Sequence, residues 1–189
     1  MTIVSCSKED PQLNRTIFIP DENDTSLPAY TEWGYNVFGA IYERTYFYAS
    51  EEIIPCKIMY RNDSIHFLMQ GVIGSNYSNN NMALTFIFPS ERIASHNDFI
   101  TFHKKVIDLS DGCVVRMITD DNEKVLNITK GELNFKRAQL LSVDGVANRV
   151  ILSGTFYIQF VGAGSFPENF SDGRFDFGIT EREFYDNAN

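Results

Sequence analysis

Few side chains in this 189-residue chain are of types that do chemistry, and they are scattered. The histidines are His66, His96 and His103. Zinc sites draw on close pairs such as His-x3-His, because two imidazoles must reach one ion. The spacing of these three supplies no such pair, so each reads as a solvated or hydrogen-bonded histidine and no metal ligand is assigned. Cys6, Cys56 and Cys113 show neither CxxC nor another metal-type spacing. Cys56 and Cys113 either form one disulfide or sit as small apolar residues in a core, and the commonness of buried free cysteine favours the core.

The acidic clusters Asp21-Glu22-Asn23-Asp24 and Asp120-Asp121-Asn122-Glu123 lack the Asp-x-Asn-x-Asp-Gly order of a calcium loop and read as turns. No Gly-x-Ser-x-Gly elbow occurs, and Gly162-Ala163-Gly164-Ser165 falls in a loop after a strand, not at the start of a helix. Paired carboxylates for glycoside hydrolysis are set by spatial, not sequential, separation. No catalytic residue and no cofactor is assigned.

Aromatic residues are the most suggestive feature. Tyr30, Trp33, Tyr35, Phe38, Tyr42, Tyr46, Phe47 and Tyr48 crowd one stretch. On a sheet face, Trp and Tyr can stack sugars, because each presents an apolar body with a polar tip. Aromatics also favour strands and fill cores, which is the reading with more weight here.

The formal charge of −9 argues against nucleic acid and anionic lipid, which need Lys and Arg to replace counterions. Lys104-Lys105 and Lys136-Arg137 are isolated basic pairs. No apolar run approaches the roughly 18 residues of a membrane-spanning helix. A chain of this length buries roughly 70% of its unfolded surface, so it needs no staple to fold.

The elements that must position these side chains are strands. Apolar residues alternate in Ser64–Gln70 (Ile65, Phe67, Met69), Met82–Phe88, Cys113–Thr119, Leu133–Phe135, Thr155–Val161 and Arg174–Ile179. Period two marks strands with one face on a core and one in water. Turn-rich runs separate them, at Gly74–Asn81, Ser110–Gly112, Asp120–Glu123, Asp144-Gly145 and Gly162–Ser165. Such short intervals leave no room for crossover helices, and only Glu91–His103 has space for a helix of one or two turns. The expected fold is all-β, an antiparallel β-sandwich or flattened meander barrel with at most one short helix. Residues 31–189 form the single β-domain. Residues 1–30 are polar and broken by Pro11, Pro20 and Pro28, which reads as a tether or extended arm, and Thr16–Ile19 has the character to pair on a sheet edge.

The last third carries Asn148-Arg149, then Ser153-Gly154-Thr155-Phe156, and later Asp172-Gly173-Arg174-Phe175-Asp176. This pattern resembles an uncharacterised family of Bacteroidota lipoproteins. In structural terms Gly154 permits a bend or bulge, Asp172-Gly173 makes a turn, and Arg174 and Asp176 share the wet face of the last strand.

The resemblance gives Ile3-Val4-Ser5-Cys6 a meaning. It fits a lipobox, with Cys6 as the acylated residue and Ser7-Lys8-Glu9-Asp10 opening a hydrophilic tether. A signal peptide needs a charged region and an apolar core of about seven residues or more before the cleavage site. The five residues before Cys6 cannot supply these, so the natural start is expected upstream of Met1, the alternative being a plain tail cysteine. What the resemblance implies is a non-catalytic lipoprotein of the bacterial cell envelope, membrane-anchored through its N-terminus and meeting a glycan or envelope protein. A lipocalin-like carrier of sugar or lipid, with a cavity lined by Phe86, Phe156 and Tyr157, is the alternative.

Overall fold

The computed structural model describes residues 15–75, 78–120, 122–143 and 146–186. The lipobox cysteine Cys6, most of the tether and the Asp144-Gly145 turn lie outside the described residues.

Among the described residues twelve strands follow one another: β1 (Val37–Tyr42), β2 (Thr45–Tyr48), β3 (Cys56–Arg61), β4 (Ser64–Ser75), β5 (Ser78–Pro89), β6 (Lys105–Asp108), β7 (Val114–Thr119), β8 (Asn122–Val125), β9 (Asn127–Val143), β10 (Val146–Val161), β11 (Pro167–Ile179) and β12 (Phe184–Asp186). They form one sheet in the order β6-β9-β10-β11-β1-β2-β4-β5-β7-β8. The long β4 also carries β3 along its first half, and β12 lies parallel to β3. The other pairings are antiparallel. The fold is therefore all-β, and the choice between sandwich and barrel resolves as a single sheet curled into a half-barrel.

The curl is visible in ring contacts between strands that are not neighbours. Phe67 on β4 meets Phe135 on β9 and Phe175 on β11, each at 5.5 Å between centroids. Phe86 on β5 meets Phe156 on β10 at 5.5 Å. Each ring pair adds about 0.5–1.5 kcal/mol beyond its burial. The alternation in the sequence supplies these rings, since every second residue of a strand points inward. The segment over Glu91–His103 holds a 3-10 helix, His96–Phe102, whose buried Phe99 and Phe102 join the core. Asp98 Oδ2 accepts from the Ser95 backbone N–H at 3.0 Å and so ties down its first turn.

Several expectations need correction. Gly74–Asn81 is mostly strand, with β4 and β5 paired out to Gly74↔Asn79 and Ser75↔Ser78. Continuing the ladder pairs each backbone group, which outweighs the poor strand propensity of Asn. Strands β9 and β10 are also much longer than their alternating cores at Leu133–Phe135 and Thr155–Val161. The β9–β10 register shifts near Arg149, Gly154 and Phe160, and each shift resets the inside-outside phase, so one period-two pattern cannot run through.

The second half of the polar stretch is an arm held on the sheet. Ile17 N–H donates to Tyr35 O at 2.9 Å, Pro20 bridges Pro28, and Leu27 is buried. Arg174 Nη1 pairs with Asp21 Oδ2 at 2.5 Å.

Candidate functional site

Along β11 the side chains of Phe175, Phe177 and Ile179 enter the core, which sends Arg174 and Asp176 to the outer face. That face is not wet, as the sequence suggested. The arm covers Arg174, and the loop of residues 31–35 covers Asp176, leaving it 1% exposed. A period-two pattern says which face a residue takes but not what lies upon that face.

Five donors converge on the Asp176 carboxylate. Oδ1 accepts from the Gly34 N–H at 2.7 Å and the Ser153 hydroxyl at 2.8 Å. Oδ2 accepts from the Thr31 hydroxyl at 2.6 Å, the Trp33 N–H at 3.0 Å and the Tyr35 N–H at 3.3 Å. These bonds replace the water that the buried carboxylate and the loop amides have lost. The loop can take this path because Gly34 adopts φ +75, with Gly178 Cα and Ile151 Cγ1 at 3.3 Å from where a Cβ would stand. Asn36, at φ 54, accepts from the Gly178 N–H at 2.9 Å and closes the loop. With its lone pairs so committed, Asp176 clamps the loop.

The clamp holds the Trp33 backbone while its indole stands 70% exposed. Polar groups flank this loop. The Tyr30 hydroxyl donates to Glu32 Oε1 at 2.8 Å, and Glu32 Oε2 pairs with Arg137 Nη1 at 3.0 Å. Arg137 Nε in turn donates to Gln139 Oε1 at 2.8 Å, and Lys136 Nζ lies 5.0 Å from the Tyr30 ring centre. Partial burial, followed by the Glu32 carboxylate, raises the Tyr30 phenol well above its ordinary range. Arg137 and Gln139 stand opposite Ser153 and Ile151 in the β9–β10 ladder, which brings them beside the Asp176 clamp.

The other candidates fall elsewhere. The aromatic run divides: Phe38 and Phe47 are core, Tyr30, Tyr35, Tyr42, Tyr46 and Tyr48 are half-buried, and Trp33 is exposed. His66 is half-buried on the outer face of β4, its pKa lowered by burial and then by Arg116 and Arg61. His96 is buried with no hydrogen-bond partner at Nε2, and His103 Nδ1 accepts from the Ala138 N–H at 3.3 Å. Among the described residues no three His, Cys, Asp or Glu side chains group to hold a metal ion. Cys56 and Cys113 are free thiols, Cys56 buried and Cys113 half-buried, and burial raises both. The Asp21 cluster is a turn in which Asp21 Oδ1 accepts from the Asn23 N–H at 2.8 Å. Glu123 pairs with Arg116 across the β7–β8 hairpin at 3.0 Å. After β10 the chain makes a single short 3-10 turn, Ala163–Ser165, with Gly164 at φ 70 and Gly164 and Ser165 exposed.

The Ser153–Asp176 pairing escaped the sequence reading. Its signal is Ser153 in the middle of the apolar run Val150–Phe156: a hydroxyl buried on a strand needs a polar partner. No helix among the described residues is long and apolar enough to cross a membrane. Comparison with protein-family models, curated proteins and solved structures finds no match for this chain.

Proposed function

We propose that this chain is a non-catalytic lipoprotein of the bacterial cell envelope, anchored through Cys6, whose β-domain meets its partner with its outer surface. The observation that carries the surface reading is the ring-packed interior. Phe86 and Phe156, which a carrier would use to line a cavity, lie against each other, and Tyr157 stands on the opposite face beneath Lys130. Rings packed this closely leave no room for a ligand between them. The buried carboxylate of Asp176 is spent on holding a loop. The envelope address rests on Ile3-Val4-Ser5-Cys6 and on the Asn-Arg … Ser-Gly-Thr-Phe … Asp-Gly-Arg-Phe-Asp pattern. One acyl chain binds membranes marginally and several bind firmly, so a multiply acylated Cys6 would hold the domain at the surface.

The test is expression in a related bacterium from the natural locus, comparing wild type with Cys6→Ala by detergent-phase partitioning and intact mass. Acylated, detergent-partitioning wild type beside an unmodified, aqueous mutant is the expected result. Identical aqueous behaviour of the two proteins would defeat the anchor.

A further inference from the structure

We propose that Trp33 is the stacking platform of a binding site for a neutral sugar ring, with Glu32, Arg137 and Gln139 as its hydrogen-bonding edge. This deepens the surface-binding reading above and rests on it.

The first argument is the mismatch between how exposed the indole is and how firmly its backbone is held. Exposed large hydrophobics are ordinary when they sit singly on loops. Trp33 differs in that its own N–H and those of both following residues, Gly34 and Tyr35, are fixed by one buried carboxylate. Burying a carboxylate is costly, and here the groups it orders carry the one tryptophan of the sequence into solvent at 70% exposure. Nothing in the core gains from that placement. A backbone already held in place saves a ligand the cost of ordering that loop on binding.

The second argument concerns which ligand. Pyranose rings have one apolar C–H face and a rim of hydroxyls, so they call for a flat aromatic surface bordered by planar polar groups. Glu32, Arg137 and Gln139 are carboxylate, guanidinium and amide, linked to one another at 2.8–3.0 Å in a chain beside the loop. Each keeps acceptors or donors beyond those that this chain uses. The surroundings do not fit the main rivals. A protein-interface centre is apolar and ringed by a polar rim, whereas the residue next to Trp33 in the loop is Glu32, paired with Arg137. Nucleobases also stack on indoles, but they arrive on a phosphate chain that a protein of net charge −9 repels. Glu32 and Arg137 neutralise each other, so the edge suits an uncharged sugar better than an acidic one.

Because the chain has a single tryptophan, its tryptophan emission, excited at wavelengths where tyrosine does not absorb, reports this site alone. The full chain is titrated with maltoheptaose, cellohexaose and mannohexaose while the emission of Trp33 is followed. At least one saccharide is expected to shift or quench that emission saturably. Its affinity, measured by calorimetry, is expected to fall about tenfold or more in Trp33→Ala, equivalent to about 1.4 kcal/mol. Trp33→Tyr should retain part of the affinity, and Arg137→Ala should weaken binding while leaving the stacking signal. Trp33→Ala should melt within about 2 °C of wild type, because an exposed side chain contributes little to stability. Silence of Trp33 to all three saccharides would overturn the proposal, as would equal affinity in Trp33→Ala. Release of new reducing ends from a bound saccharide would instead defeat the non-catalytic reading and leave the sugar site standing. Failure of the Cys6 experiment would touch only the anchor.

Discussion

Ser153 and Asp176 stand directly opposite each other in the β10–β11 ladder, and the Ser153 hydroxyl donates to Asp176 Oδ1 at 2.8 Å. The same oxygen accepts the Gly34 N–H at 2.7 Å, so one cross-strand pair fixes a loop about 140 residues earlier in the chain. Polar motif residues on neighbouring strands thereby become the mould for the exposed Trp33. In Asp176→Asn an NH2 replaces one acceptor oxygen and faces donors, stranding at least two buried groups. The expected loss is about 3 kcal/mol or more, from about 1–3 kcal/mol per unsatisfied group. At this chain length about 2–4 °C accompanies each kcal/mol, so the melting temperature should fall by roughly 6–12 °C. Thermal melts of Asp176→Asn and the milder Ser153→Ala check this, and a shift under about 2 °C in the first would remove the clamp.

Gly154 is irreplaceable for a different reason. A Cβ there would land on the Asn134 carbonyl oxygen and reach Phe175 Cζ at 2.6 Å, where the β9–β10 register shifts. Backbone cannot yield as a flexible side chain can. Gly154→Ala should therefore cost about 4 kcal/mol or more, or prevent folding. Gly112→Ala makes the comparison: it meets open space at φ +64 and should cost only about 1–2 kcal/mol of left-handed strain. Urea unfolding of the two variants gives the ranking, and equal costs would refute it.

The arm should loosen in acid. The Asn23 amide, and more weakly Arg174, hold the Asp21 carboxyl below its ordinary 3.8, against an opposing effect of burial. A carboxylate whose folded value is depressed stabilises the fold above its unfolded value, and that contribution disappears as pH falls through the folded value. Wild type should thus exceed Asp21→Asn in melting temperature at pH 6, with the gap closing below pH of about 3.8. A gap that persists unchanged to pH of about 2 would rule out this linkage.

His66 gives a second acid dependence, in a higher window. Burial, then Arg116 and Arg61, lower its pKa below 6.5, so the fold prefers the neutral ring. The stability this confers is complete above the unfolded value and is lost as pH falls from about 6.5 through the folded value. NMR titration should place His66 below the ordinary 6.5. Melting temperatures of His66→Gln should decline less steeply than wild type between pH of about 6.5 and 5. A His66 titrating above 6.5 would contradict this.

How much of this was legible in the sequence is clear from individual residues. Phe67, Phe86, Phe156, Phe175 and Phe177 sit at alternate positions and are all buried, because strand geometry alone sends every second side chain inward. Gly154 marked the register irregularity for a local reason too, since only a residue without Cβ lets two backbones meet so closely. Asp176 was misread as wet for the reason that period two is blind to the far side of a sheet.

By itself, then, the sequence determined what is local or compositional: strands by alternation, the short helix near His96–Phe102, and a net charge of −9. Only the tertiary structure decided that the sheet curls into a half-barrel, that the arm lies on Arg174, and that Thr31, Gly34 and Ser153 share one carboxylate. Those contacts join residues more than a hundred positions apart or on separate strands, and no periodicity along a chain encodes which distant donors will replace the water around a buried charge.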